Sequence, residues 1–353
     1  MGCRTIKIQF KNWYDGFNYK DLGPIFAENN YLKENDISLE ITNANPDFII
    51  YGVFGDFLYQ SSIDDKNAVK ILFVTEPISS DFLFFDYCIG FEPYDYGKRN
   101  CFYPFFLYSP YADSVIPKQL NRKLTKGILK SKDIFCEMVY SHDGRDVSRK
   151  KYFELLSTYK KVESAGTYLN NQLNGATVDY RNDNRTKFEF QKRAKFSLCI
   201  QSIKKEWFIN EKIMHAFFSN EIPIFYGCDE VKNVFNPERF VFVDDYPNDE
   251  ALLKKIIEID NNDELFCEII SKPVFIDKDF VEKTLDKACR FVYELLVHKK
   301  KRLIEKNRET IIKNEIIKNK RSSDELHRLL NKRIIRCCLK VCHIFRKRRK
   351  HVK

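Results

Sequence analysis

The chain has 353 residues, of which 44% are hydrophobic and 15% aromatic, which suits two ordinary domains and excludes a largely disordered protein. Its formal net charge is +10 at pH 7, but the charge is unevenly distributed. From Lys299 onward there are 21 Lys and Arg against 5 Asp and Glu, whereas the rest of the chain has a net charge of −6. Since the body is slightly acidic, nucleic acid is not expected as a partner.

Signals for export, membrane spanning and metal binding are missing or incomplete. Eleven cysteines, an odd number in a long chain, favour free thiols in a reducing compartment over a disulfide framework. No run approaches the ~18–20 apolar residues of a membrane span. The Met-Gly-Cys start resembles an acylation signal, but Ile6 stands where the pattern requires Ser or Thr. None of the six histidines has a metal-ligand spacing, so no bound metal is expected.

The first half of the chain predicts an α/β domain, because short strands alternate with helical or turn segments. Strands are predicted over residues 6–10, 37–41, 48–51, 69–74 and 87–91, and a helix over residues 22–29. The fourth strand leads into Glu76, at the end of a strand where open α/β sheets bind ligands. Glu76 is therefore a candidate general base, with an ordinary turn residue as the alternative.

Residues 96–132 form an aromatic, proline-rich and basic stretch, which is interpreted as interdomain. After it, strands and helices alternate again. Strands are predicted over residues 134–140, 196–200, 222–226 and 240–243, and helices from Ser148 and over residues 211–218, 250–259 and 280–297. The pattern predicts two α/β domains facing a cleft, over residues 1–130 and 131–297, followed by a basic tail over residues 298–353.

The strongest candidate for anion binding is Glu211-Lys212, at a predicted helix start behind Asn210. Free N–H groups and the helix dipole favour a diphosphate there, with Lys212 adding charge and Glu211 binding hydroxyls. Arg149, at another helix start, can clamp phosphate oxygens. The alternative is that these are ordinary solvated residues. Asp277-Lys278-Asp279 has the form of a metal-diphosphate motif but is interpreted as a helix cap.

Motifs in both halves resemble α-1,3/4-fucosyltransferases of glycosyltransferase family 10. Residues 195–246 resemble the donor-binding core, with its (Y/F)-(V/I)-T-E-K signature followed by P-(I/V)-x-x-G and F-x-x-V-x-D-(F/Y). Residues 73–77 resemble the strand that ends in the family's catalytic glutamate, and residues 85–91 its F-D-Y-x-I-G-F motif. Residues 141–152 resemble the loop and helix with the phosphate-binding arginine, so the resemblance covers roughly residues 5–275.

The resemblance implies a GT-B fold, with an acceptor-side Rossmann-like domain first and a GDP-sugar-binding Rossmann-like domain second. It implies an inverting α-1,3-fucosyltransferase that moves L-fucose from GDP-β-L-fucose to a hydroxyl of an oligosaccharide, without an essential metal or other cofactor. N-acetyllactosamine-type glycans and the precursors of glycoproteins, lipopolysaccharide or other surface polysaccharides are the expected acceptors. Glu76 is the implied general base. The implied substrate-binding residues are Arg149, Ser202, Phe208, Asn210, Glu211, Lys212 and Gly227.

The sequence departs from the family pattern beside the donor site. Gln201-Ser202 replace the usual Glu-Asn, Phe208 replaces a tyrosine, and Asn210 replaces the signature threonine. These changes alter donor hydrogen bonds while the charged residues are retained. Two alternatives stay open: the same fold using another GDP-sugar, and a catalytically decayed protein that binds membrane or nucleic acid.

The basic tail predicts an amphipathic helix from Asp324 onward, with Leu, Ile, Val, Cys and Phe on one face and Lys and Arg beside them. Such a helix is expected to lie on an anionic membrane surface, at about 1 kcal/mol for each basic residue near the lipid. The expected location is cytoplasmic, on the inner face of the membrane. A solvated helix is the alternative, and residues 303–320 leave self-association into a homo-oligomer open.

Overall fold

The computed structural model describes residues 4–54, 67–107, 126–145, 147–178 and 185–298, and the described residues up to His298 belong to one compact unit. Two parallel sheets organise this unit. The first sheet contains β1 (Arg4–Lys11), β2 (Ile37–Ile41), β3 (Phe48–Tyr51), β4 (Val69–Phe73), β5 (Tyr87–Gly90) and β6 (Asn100–Phe102). The second contains β7 (Ile134–Met138), β8 (Val162–Ser164), β9 (Ala194–Ile200), β10 (Ile222–Tyr226) and β11 (Val241–Phe242).

Both sheets follow the same strand order. The first runs β2-β1-β3-β4-β5-β6 and the second β8-β7-β9-β10-β11. The order therefore reverses between β1 and β3 in one sheet and between β7 and β9 in the other. In doubly wound sheets, such a reversal opens a crevice at the carboxyl ends of the strands, where ligands bind. Each domain thus has a crevice of this kind.

Eight α-helices occur among the described residues, and most lie against the sheets. They are α1 (Asn30–Glu34), α2 (Arg149–Ser157), α3 (Arg185–Gln191), α4 (Lys212–Phe218), α5 (Val231–Val234), α6 (Asp249–Asp260), α7 (Asp263–Ser271) and α8 (Phe280–His298). No helix in the described part of the chain is long and apolar enough to cross a membrane.

Central strands are apolar along their whole length because both of their faces are covered. Every residue of β3 and β4 is buried, even Lys70, whose backbone N–H donates to Asp86. This arrangement is typical of parallel sheets with helices on both sides, and it explains why the two apolar runs predict strands correctly.

The last helix returns to the first domain. The side-chain amide of Asn29 donates to the Cys289 carbonyl oxygen at 2.8 Å, and the Tyr31 hydroxyl donates to Asp286 at 2.6 Å. Asp277, just before α8, accepts the Asp279 N–H at 3.0 Å and an ammonium proton from Lys283 at 2.8 Å. These bonds order the turn before α8 but do not involve an N–H of its first turn, so the interpretation of this acidic motif as a helix cap stays a prediction.

Two of the predictions made from the sequence are wrong, one for a helix and one for the stretch between the domains. The predicted helix over residues 22–29 is a 3₁₀ helix, Tyr19–Ile25, because Pro24 lies within it and cannot continue an α-helix. The stretch over residues 96–132, interpreted as interdomain, begins inside the first domain, where β6 pairs with β5. The beginning of the chain and the basic tail lie outside the described residues, so the acylation motif and the amphipathic helix stay predictions.

Candidate active site

Glu76 follows β4 at the carboxyl edge of the first sheet. Its backbone carbonyl accepts the N–H of Ile78 at 2.7 Å, which closes a tight turn around Pro77. Its side chain is accessible to solvent. Protein atoms nevertheless crowd it, and this desolvation, together with the charge of Glu211, raises its pKa. A carboxylate that lines an open but narrow cleft is both accessible to solvent and partly desolvated, and this describes Glu76.

Charges of the second domain also reach Glu76. Lys212 and Arg145 lower its pKa, against the larger effects of burial and Glu211. Arg145 and Lys212 follow Glu76 by 69 and 136 positions in the sequence, yet both act on its carboxylate. The structure therefore brings the predicted base close to the predicted diphosphate-binding residues.

Glu211 and Lys212 form an ion pair at the start of α4, with a 2.7 Å separation between Nζ and Oε1. Burial alone would raise the pKa of Glu211, but Lys212, His215 and Lys187 lower it to about 2. Glu211 is thus ionised at all physiological pH values. The Asn210 side chain accepts the Lys212 N–H at 3.2 Å, although α4 begins at Lys212, one residue later than predicted.

A buried cation that the sequence analysis missed lies behind this pair. Lys187 on α3 is 5% exposed, and its ammonium group donates to Nδ1 of His215 at 2.7 Å. Burial and the neighbouring Lys187 charge hold the pKa of His215 well below its usual value, so the imidazole is neutral. No sequence pattern marks Lys187, because a lone lysine in a mixed polar and aromatic segment resembles a surface residue.

Arg149 is the first residue of α2 and is only 4% exposed. Its Nε donates to the carbonyl oxygen of Ile200 at 3.1 Å, its Nη1 donates to that of His142 at 2.7 Å, and its guanidinium stacks 4.0 Å from the centre of the Tyr140 ring. Arg149 therefore ties together the ends of β7 and β9, where the strand order reverses.

Asp143 caps the helix that carries Arg149. Its Oδ1 accepts the Arg149 N–H at 2.6 Å and its Oδ2 accepts the Ser148 hydroxyl at 2.9 Å. Ser148 therefore occupies the cap position, but its hydroxyl donates to Asp143 and does not itself cap the helix. Desolvation alone would raise the pKa of Asp143, but hydrogen bonds from Tyr168, Gly144, Ser148 and Arg149 lower it to about 2. The loop is tight: a Cβ on Gly144 would lie 1.9 Å from the Val147 carbonyl oxygen.

The edge of the second sheet is electropositive. Desolvation lowers the pKa of His142, and Arg149, Lys212 and Arg145 lower it further. His142 is therefore within reach of three positive charges, contributed by the loop before α2, the start of α2 and the start of α4. Such a cluster at strand ends favours a polyanionic ligand.

Two more of the predicted site residues, Gly227 and Ser202, lie beside the residues that follow β9 or belong to them. Gly227 is required by packing, because a Cβ there would lie 2.3 Å from Oε1 of Gln201. Gln201 is fully buried, and neither atom of its amide has a partner among the described residues. The backbone carbonyl of Ser202 accepts the Arg145 N–H at 3.0 Å.

Phe208 lies at the contact between the two domains. Its ring packs edge-on against Phe91, which follows β5, with ring centroids 5.2 Å apart. Nearby, Phe102 packs against Trp207 at 6.0 Å, and the Tyr94 hydroxyl donates to Glu206 at 2.5 Å. Residues 206–208, which precede the Glu211-Lys212 pair, therefore contact the domain that carries Glu76.

Among the described residues, no group of three or more His, Cys, Asp or Glu side chains is placed to hold a metal ion. The positive charge near Glu76 comes from side chains of Lys and Arg. These side chains can neutralise phosphate oxygens directly.

The two parallel sheets, with crevices at their carboxyl ends, define a two-domain α/β fold of the GT-B glycosyltransferase type. A family model described as glycosyltransferase family 10 (fucosyltransferase) C-term matches residues 129–305, and one described as the α-(1,3)-fucosyltransferase FucT N-terminal domain matches residues 8–109. The chain belongs to glycosyltransferase family 10. The predicted family and fold are therefore confirmed.

Two relatives and one solved structure illustrate this membership. The chain is 30% identical over 248 residues to a protein of Acanthamoeba polyphaga mimivirus named as a fucosyltransferase, covering 67% of this chain and 38% of that protein. It is 26% identical over 278 residues to the α-(1,3)-fucosyltransferase of Helicobacter pylori, covering 70% of this chain and 56% of that protein. A crystal structure of an α1,3-fucosyltransferase with GDP-fucose is similar in fold, with a TM-score of 0.61, 21% identity, and coverage of 82% and 91%.

Proposed function

We propose that the protein transfers L-fucose from GDP-fucose to a hydroxyl of a glycan, with inversion at the anomeric carbon. Family membership supports fucosyl transfer, and the similar solved structure contains GDP-fucose. The observation that carries the proposal is that Arg145 and Lys212 act on the carboxylate of Glu76, while the same two cations and Arg149 act on His142 at the edge of the second sheet. A base with an anion-binding edge close by suits a direct displacement.

In this mechanism, Glu76 accepts the proton of the acceptor hydroxyl. The hydroxyl oxygen forms a bond to the anomeric carbon while the bond to the diphosphate oxygen breaks, and GDP leaves with the bonding electrons. The raised pKa makes Glu76 a stronger base than an ordinary glutamate, and its exposure lets the hydroxyl reach it. Attack from the side opposite the leaving group produces inversion.

The developing charge on GDP is stabilised from the second domain. Lys212 is the candidate for direct contact, because its ammonium is partly exposed while paired to Glu211. Arg149 already donates to several backbone carbonyl oxygens, so we propose that it contributes mainly through its positive charge and by holding the ends of β7 and β9 together. Glu211, ionised and anchored, is proposed to accept hydrogen bonds from donor hydroxyls. Preorganised charge of this kind is often the largest contribution to catalysis.

Because these side chains can neutralise the diphosphate, we propose that no divalent metal is essential. The test is transfer activity in excess chelator, with activity measured again after addition of Mg²⁺ or Mn²⁺. Loss of activity in chelator and its return with metal would contradict this part of the proposal.

The donor is tested by a thermal-shift panel of GDP-fucose, GDP-mannose and UDP-sugars. Specific binding at 100 times Kd stabilises the protein by about 2.7 kcal/mol, which raises Tm measurably. The altered Gln201-Ser202 segment favours one alternative, in which the same site takes another GDP-sugar, and a larger shift with GDP-mannose would select it. No shift with any GDP-sugar would select a decayed site.

Catalysis by Glu76 is tested with Glu76→Gln, which removes the base but keeps the shape. We expect kcat to fall about 10²–10⁴-fold while the Kd for GDP-fucose changes little. Glu154→Gln is the matched control, since Glu154 is an exposed residue of α2 that pairs with Lys150. Retained turnover in Glu76→Gln would remove Glu76 from the mechanism. NMR of the product gives the anomeric configuration of the new linkage and therefore shows whether transfer occurs with inversion.

For the acceptor, we propose an N-acetyllactosamine-type glycan or a surface-polysaccharide precursor, and for the basic tail an anionic membrane surface. A chain ending at Lys300 retains α8 and its contacts with the first domain. Co-sedimentation with vesicles of phosphatidylglycerol and phosphatidylcholine should be lost in this shortened chain and reduced by salt. Equal sedimentation of both chains would refute the tail's role.

A further inference from the structure

A cluster of aromatic rings follows β1, and we define it as the β1-end cluster: Trp13, Tyr14, Phe17 and Phe54. Trp13 stacks on Phe17 with centroids 3.9 Å apart and an interplanar angle of 16°. Tyr14 meets Phe17 edge-on at 5.7 Å and Phe54 edge-on at 5.5 Å. The rings therefore form one continuous aromatic surface.

This cluster is fixed to the strands between β1 and the candidate base. The Trp13 ring lies 5.5 Å from Phe73, the last residue of β4, and its indole N–H donates to the Ile50 carbonyl oxygen at 3.1 Å. Gly52 allows the indole to lie over the end of β3, because a Cβ there would be 2.9 Å from Trp13 Cδ2. Since β3 separates β1 from β4, the ends of β1 and β4 are about 10 Å apart.

The cluster lies at the crevice of the first sheet, where the strand order reverses, on the same edge as Glu76. Tyr14 is 37% exposed, and Asp15 and Asn18 on the same loop are also exposed. The C–H faces of sugar rings stack on aromatic surfaces, while their hydroxyls need polar partners close by. An aromatic surface with exposed carboxylate and amide groups on the same loop supplies both.

We propose that the β1-end cluster binds a sugar ring of the acceptor next to the sugar that presents its hydroxyl to Glu76. This inference rests on the proposed glycosyl transfer and deepens it by assigning residues of this chain to the neighbouring sugar. The ends of β1 and β4 lie two strand spacings apart on one edge of the sheet, which leaves room for two neighbouring sugar rings, one at Glu76 and one on the cluster. Tyr14 is the specificity-determining residue, because its ring is the exposed part of the cluster.

The kinetic test compares Tyr14→Ala with Tyr14→Phe, using N-acetyllactosamine and N-acetylglucosamine as acceptors. Tyr14→Ala should raise KM for the disaccharide at least 5-fold, with KM for the monosaccharide, KM for GDP-fucose and kcat unchanged. Tyr14→Phe keeps the ring and should retain the wild-type KM. Ile41→Ala, an exposed apolar residue at the end of β2, is the control and should change nothing.

A binding test without turnover separates this inference from the proposed function. The chain has two tryptophans, so Trp207→Phe leaves Trp13 as the single indole reporter. N-acetyllactosamine should change Trp13 fluorescence at lower concentration than N-acetylglucosamine, and Tyr14→Ala should weaken that response. Such a response without GDP-fucose binding or transfer would refute the proposed function alone. An unchanged disaccharide KM, an equal rise for both acceptors, or no disaccharide response in fluorescence would overturn the inference.

Discussion

Lys187→Met replaces the buried ammonium behind Glu211 with an apolar side chain of similar length. Burial lowers the pKa of Lys187 to about 8, with Lys212 adding to the effect, and the attraction of Glu211 and Glu137 does not compensate. The charged form is therefore less favourable in the folded protein than in the unfolded chain. The substitution removes this cost together with the hydrogen bond to His215.

The magnitude follows from the difference between the folded and unfolded pKa values. A fall from 10.5 to about 8 corresponds to roughly 3 kcal/mol of destabilisation below pH 8. Between pH 8 and 10.5 the unfolded chain binds more protons than the folded protein, so this group makes stability rise with pH. Loss of the hydrogen bond leaves His215 without that partner, which costs about 1–3 kcal/mol. At pH 7 the two effects nearly cancel.

Urea unfolding of wild type and variant at several pH values between 7 and 10.5 measures the difference directly. We expect wild type and Lys187→Met to have similar free energies of unfolding at pH 7. By pH 10.5 the free energy of unfolding of wild type should have risen by roughly 3 kcal/mol relative to that of the variant. The variant should also bind GDP-fucose more weakly, because Lys187 is one of the charges that keep Glu211 ionised. Lys192→Met removes an exposed lysine just after α3 and serves as the control.

Parallel pH profiles for wild type and Lys187→Met would refute the reasoning, because they would mean that Lys187 does not change its proton affinity on folding. A loss of several kcal/mol at pH 7 with unchanged donor binding would assign Lys187 a packing role only.

Three further predictions concern the site itself. The acidic limb of kcat/KM should lie above the pKa of an ordinary glutamate, because desolvation raises that of Glu76, and Glu76→Gln should abolish this limb in the pH–rate profile. Asp143→Ala should cost about 0.5–2 kcal/mol in urea unfolding by removing the cap of α2. Because the pKa of Asp143 is lowered to about 2, its contribution should be present above pH 3.8 and be lost as the pH falls towards 2; a constant difference down to pH 2 would contradict this. Gly227→Ala should cost about 1–3 kcal/mol because its Cβ would collide with Gln201 and the Phe225 ring, so an unchanged unfolding midpoint would show that the site accommodates a methyl group.

The strands were largely predictable because buried parallel strands are continuous apolar runs. The predictions for β2, β3 and β10 have the observed bounds. β6 and β8 were missed because each has only three residues, too few to show a period. α7 was also missed, although Asn262 caps it in the usual way.

The sequence predicted that Glu76 and Lys212 lie near each other, and in the structure the charge of Lys212 acts on Glu76; their roles stay predictions. The burial of each side chain was not predictable, because it depends on which loops lie next to each other in the folded protein. Arg149 resembled an exposed phosphate clamp in the sequence but is enclosed by the ends of β7 and β9. Lys187 acts on residues that are distant in sequence, through its hydrogen bond to His215, 28 positions away, and through its charge on Glu211.

The contacts of α8 make the first domain discontinuous in sequence. Residues 280–298 complete its surface beside Asn29 and Tyr31, although they are reached only after the chain has passed through the second domain. A chimera that exchanges second domains between family members must therefore keep this helix with the first domain. During synthesis on the ribosome, the first domain cannot finish folding until the second domain has emerged.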